Sequence, residues 1–261
     1  MVVKNIFSAI AILFTIFVKC QLSLEVKEIN YENFLNNVPK NKFSVDIEKK
    51  YEGHILEISI INHSTHSISF PLDTLSYALP YTEKTEQYYS GKDNIPSEPD
   101  LLNILGIYPF VYQNGKFISR EFDMTPDPFY IVAEPKEKTE IKAQRLNKIK
   151  EWKQKNNIKS DLTACYNSYI VNHMITIAPN KEVKYKIHFN PYLKRLDSFG
   201  YQEFYWPLNS KSTYEVTFKL ILTKGLYKFL TTEDKLKYPN LFMGVISSKK
   251  LIMSTKENVY D

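Results

Sequence analysis

Four kinds of side chain in this sequence have the chemistry to bind or transform something: a histidine pair, a lone cysteine, clustered acids and a run of aromatics. His63 and His66 stand three apart in "IINHSTHSISF". On a helix such a pair shares one face and can begin a zinc site. Here the residues from Asn62 to Ser67 are turn formers between two apolar runs, which gives the rings no common direction. His54, His173 and His188 lie in other segments without ligand spacing. The expectation is therefore no metal and no cofactor. Cys165, in "DLTACYNSY", has no nucleophile signature around it and reads as a packed small hydrophobe. Glu121, Asp123 and Asp127, in "REFDMTPDPF", lack the glycine-containing Asp/Asn-rich loop of a calcium site and read as solvated turn acids. The chain has no G-x-S-x-G, H-E-x-x-H, P-loop or dinucleotide motif, and seven glycines leave little material for loops that cradle phosphate.

The aromatic run is "FGYQEFYWPLN", residues 199–209. In an extended segment Tyr205 and Trp206 point to opposite sides, so Tyr201, Phe204, Tyr205 and Trp206 supply more ring area than one buried face uses. One side is expected to be core. The other is a candidate stacking platform for a sugar ring or a partner's apolar side chain. A second candidate surface is electrostatic. Lys136 to Lys159 holds nine basic residues against three acids, a local excess of six in a chain whose net charge is +5. The remainder is close to neutral, which argues against a nucleic-acid binder. Within this stretch, "QRLNKIKEWKQKNN" spaces Leu146, Ile149 and Trp152 by three, a narrow apolar stripe on a basic helix over 144–157. Trp152 with Lys148, Lys150 and Lys153 is a candidate contact for anionic lipid, polysaccharide or an acidic partner. The plainer alternative is a solvated helix resting its stripe on a sheet.

The elements that must position these residues repeat with a period of two. Phe43, Val45 and Ile47 alternate with polar neighbours, as do Leu56, Ile58 and Ile60, and Ile68 and Phe70 resume the pattern after the histidines. Asn114-Gly115 in "FVYQNGKFI" is a strong hairpin signal. "MITIAPNKEVKYKIHF" reads as strand, proline turn, strand; "STYEVTFKLIL" as one strand; and "LFMGVISSKKLIMS" as two short strands around Ser247 to Lys249. The resulting plan is an N-terminal signal over 1–20, a lead-in over 21–40 and one all-β domain over 41–261, with insertions near 80–107 and 144–170.

Lys4, the apolar run from Ile6 to Val18, and then Lys19-Cys20-Gln21 follow the order of a secretory signal peptide. The run is shorter than the roughly 20 residues a membrane span requires. Cleavage after Cys20 leaves Gln21 as the mature N-terminus. In the alternative, Cys20 carries lipid and anchors the chain. Either way the protein is expected to be exported: periplasmic, extracellular or anchored at an outer membrane. It then has no intramolecular disulfide, because Cys165 is the only other cysteine. Stability must come from a core, for which 19 Tyr and 16 Phe are an ample supply.

Four stretches taken together, "ILEISIINHSTHSISFP", "IAPNKEVKYKIHF", "STYEVTFKLIL" and "MGVISSKKLIM", resemble in order and character the B and C, D to E, F and G strands of immunoglobulin-like β-sandwiches on exported bacterial proteins. The resemblance covers about half of the chain and implies a fold: an immunoglobulin-like antiparallel β-sandwich with loop and short helical insertions. It implies no activity, since sandwiches carry many unrelated functions. The functional expectation is a non-catalytic binding or structural module of the cell envelope, with a glycan or an envelope protein as partner. Membrane contact would come only through a lipid on Cys20 or the basic patch. A secreted hydrolase acting on glycans or peptides, and a lipoprotein serving outer-membrane assembly, are the alternatives.

Overall fold

The computed structural model describes residues 21–29, 53–79, 99–100, 102–123, 136–191, 194–195, 203–208, 212–238 and 240–254. The 1–20 signal with Cys20, the Phe43–Ile47 strand, Asp127, Tyr201 and most of the 80–107 insertion lie outside the described residues. Among the described residues there are thirteen strands, β1 (Leu22–Ile29), β2 (His54–Asn62), β3 (Ile68–Pro71), β4 (Tyr108–Gln113), β5 (Lys116–Phe117), β6 (Glu121–Asp123), β7 (Met174–Ile177), β8 (Glu182–Phe189), β9 (Lys194–Arg195), β10 (Glu203–Tyr205), β11 (Thr213–Leu222), β12 (Gly244–Ser247) and β13 (Leu251–Ser254), with three α-helices, α1 (Lys136–Lys155), α2 (Asp161–Asn172) and α3 (Thr232–Lys237), and a short 3-10 helix over Leu226–Phe229. The described protein is mostly β, and the named strands pair antiparallel.

Two larger sheets carry the core. One has the order β1-β2-β8; in the other β11 pairs with β4, β12 and β13, and β4 continues to β5. Alternation puts Leu22 and Leu24, Leu56, Ile58 and Ile60, and Ile187 and Phe189 on the inner side of the first sheet. Val111, Val216, Phe218, Leu220, Ile246 and Met253 occupy the same core from the second. A buried polar bridge joins the sheets: His54 Nε2 hydrogen-bonds the Tyr214 hydroxyl at 2.9 Å, and His54 Nδ1 meets Glu28 Oε1 at 2.8 Å. The outer side of the first sheet carries charge, including a Lys27–Glu57 pair at 2.7 Å.

Several sequence expectations acquire a physical form here. Asn114 and Gly115 both have positive φ, 52° and 73°, the backbone of a tight two-residue hairpin turn between β4 and β5. The histidine segment is a turn organised by the buried Asn62, whose Nδ2 donates to the carbonyls of His66, Ile177 and Ala178 while its Oδ1 accepts from Ser64. His63 meets Ser23 Oγ at 2.7 Å, and His66 is exposed. The proline turn after β7 crosses between sheets, because β7 pairs with β3 while β8 pairs with β2. β12 and β13 are two pieces of one edge: the pairing with β11 slips by one residue between Ser247 and Leu251. At this bulge Ser248 Oγ accepts the Phe218 N–H that the broken ladder leaves over.

Two expectations change. The stretch taken as a lead-in supplies β1, whose Leu22 and Leu24 belong to the core. The helix expected over 144–157 begins at Lys136, since "KEKTEIKA" extends it with good helix formers, and a second helix, α2, follows at once. α2 starts where Ser160 Oγ accepts the Thr163 N–H at 3.1 Å, with Asp161 in the first turn.

Candidate functional site

The aromatic segment folds as β10 and the residues just after it. β10 lies between β6 and β9 in a small sheet, with Phe204 opposite Phe122 and Tyr205 opposite Glu121. Extended backbone sends neighbouring side chains apart. Tyr205 therefore stays half-exposed and donates from its hydroxyl to Glu121 Oε2 at 2.9 Å, while Phe204 and Trp206 turn inward. Trp206 is 1% exposed; its backbone N–H donates to the Pro191 carbonyl, and its ring sits 5.7 Å from Phe189 and 6.2 Å from Tyr77. Of the candidate binding rings, Phe204 and Trp206 face the interior. They are the buried side of the segment, and Tyr205 is its outward side.

What they surround is a cation. The Arg120 guanidinium carbon lies 4.1 Å from the Trp206 ring centroid, 5.4 Å from Phe204 and 5.5 Å from Tyr77. Its Nη2 donates to the Phe204 carbonyl at 3.2 Å. Nε and Nη1 are closed off from solvent and have no hydrogen-bond acceptor. Burial pulls the guanidinium down to about 10, with the neighbouring Tyr77 opposing the shift. Removing an unpaired cation from water costs several kcal/mol even after relaxation. A desolvated cation–π contact returns about 2 kcal/mol, and one charge-assisted hydrogen bond about 1.5–3 kcal/mol. The fold therefore holds Arg120 in place but leaves its Nε and Nη1 without an acceptor. Tyr77 itself is fixed by donating to the Asn190 carbonyl at 3.0 Å.

The basic segment is built differently. α1 packs against α2, and the joint is polar: Trp152 Nε1 donates to Asn167 Oδ1 at 2.9 Å, and Asn167 Nδ2 donates to the Phe229 carbonyl and to Asp234 Oδ2. Trp152 is therefore half-buried as a hinge pin between helices. Lys153 reaches Asp161 at 2.7 Å, whereas Lys148 and Lys150 are exposed. Leu146 and Ile141 are 56% and 50% exposed among these charges, so the apolar stripe is only partly covered. The two candidate surfaces are separate: Arg120, Phe204 and Trp206 belong with the small sheet, and Trp152 and the lysines with the helical pair. Sequence reasoning missed Arg120 altogether, because its aromatic partners come from distant segments.

Among the described residues no group of three His, Cys, Asp or Glu is placed to hold a metal ion, and no helix is long and apolar enough to cross a membrane. The chain matches no protein-family model, and no curated protein is similar to it.

Proposed function

We propose that this protein is an exported, non-catalytic binding or structural module of the cell envelope, built as an immunoglobulin-like β-sandwich with helical insertions. Two antiparallel sheets sharing one core, and the order of β2, β8, β11 and β12–β13, support the architecture. The signal-like order of residues 1–20 supports export.

The observation that carries the binding reading is the surface of α1. Among the described residues this 20-residue helix packs against α2 and reaches Asp100 through Arg145, and it leaves Lys148 and Lys150 in solvent beside the exposed Ile141 and Leu146. Cationic side chains interspersed with apolar ones are what an anionic interface recruits: the charges supply long-range attraction and the apolar groups short-range burial. Electrostatic attraction of this kind is screened by salt. The mature chain should bind vesicles containing anionic lipid at low ionic strength. Replacing Lys148, Lys150 and Lys153 by Gln should weaken that binding, and unchanged binding by the triple variant contradicts the reading.

A further inference from the structure

We propose that Arg120 is the base of an oxyanion-binding site, independent of α1, which takes a carboxylate, phosphate or sulfate group of a ligand. Rings of Trp206, Phe204 and Tyr77 surround the guanidinium, which satisfies the cation as a charge and orients it. Rings accept none of the directional in-plane hydrogen bonds for which a guanidinium is shaped. The Phe204 carbonyl takes one of these from Nη2, and the donors on Nε and Nη1 remain.

Buried donors with no acceptor are rare in folded proteins and call for a specific explanation. A planar fork of N–H groups in a site of low dielectric is what binds carboxylate and phosphate oxygens most strongly. The nearest carboxylate along the chain, Glu121, is turned away and receives the Tyr205 hydroxyl. Arg120 sits between the exposed Ser119 and Glu121, so its backbone lies at the surface while the Nε and Nη1 ends of its side chain turn inward.

The test is calorimetric titration of the mature chain with sodium glucuronate, inorganic phosphate and sulfate, with glucose as the neutral control. Saturable binding of at least one oxyanion and none of glucose is expected, with affinity falling at least about tenfold in Arg120→Gln. Arg120→Lys, which keeps the charge and loses the fork, should also bind more weakly than the parent. Saturation by glucuronate alone assigns a carboxylate ligand; saturation by phosphate or sulfate alone assigns a tetrahedral one. The Lys148, Lys150 and Lys153 to Gln variant separates this site from α1 and does not depend on whether an Arg120 variant folds. Retained oxyanion binding in that variant supports Arg120. Loss of binding there, no saturation by any of the three anions, or undiminished binding in a folded Arg120→Gln overturns the proposal.

Discussion

At the scale of single residues, buried polar groups define this protein more sharply than its apolar ones. Five tyrosines, Tyr77, Tyr166, Tyr169, Tyr185 and Tyr227, have their hydroxyl pKa raised by burial, and Asp73 pushes Tyr169 further up by accepting its hydroxyl at 2.5 Å. The sign of the linkage follows. Below pH about 10 these groups are protonated in both states and their contribution is intact. Above it the unfolded chain releases protons that the native one retains, so stability is lost progressively as pH rises. Arg120 acts oppositely between about 10 and its unfolded value, where only the unfolded chain keeps the proton. Five losses outweigh one gain. Denaturation midpoints should fall between pH about 9 and 11, and part of the phenolate absorbance should appear only on unfolding. A midpoint that holds steady across this range contradicts the burial of these hydroxyls. Little of this was legible in the sequence. Phe204 and Trp206 stood out as rings, but the Arg120 they enclose bonds to a carbonyl 84 positions away, and no local pattern announces such a pairing.

Secondary-structure elements were more legible, because the periodicity that identifies a strand also determines which face it buries. The Asn114-Gly115 hairpin, the long β11 and the β7–turn–β8 segment follow from alternation and turn chemistry alone. β1 carried the same signal in Leu22, Leu24 and Val26, yet its place beside β2 depends on a partner far along the chain. α2 was harder to read: Tyr166, Asn167, Tyr169 and Ile170 mix aromatic and polar groups on its buried face, so its apolar moment is blurred. That blur has a cause in the joint between helices. Asn167 is buried in order to hold Trp152 of α1, the Phe229 carbonyl and Asp234 of α3 together. Asn167→Ala leaves the Phe229 carbonyl without this donor and the Trp152 N–H without this acceptor. The expected cost is about 1–3 kcal/mol in denaturant unfolding, with Trp152 fluorescence shifted toward that of a solvated indole. A change below about 0.5 kcal/mol contradicts the joint, since that is the level of an ordinary surface substitution.

For the molecule as a whole, one core shared by two antiparallel sheets supplies the packing that stabilises the described residues. An aromatic series from Phe218 through Phe189 to Tyr77 and Trp206 runs from that core to the rim where Arg120 enters. The two proposed binding surfaces are therefore mounted beside the core and on a helix joined to α2, an arrangement suited to recognition at a surface. Function in this account depends on the chain leaving the cytoplasm, and the most direct test is the intact mass of the mature protein from separated membrane and soluble fractions of its native host. The account predicts a processed species, either beginning at Gln21 in an exported soluble fraction or carrying acyl chains on Cys20 in a membrane fraction. A cytoplasmic species retaining residues 1–20 would contradict it.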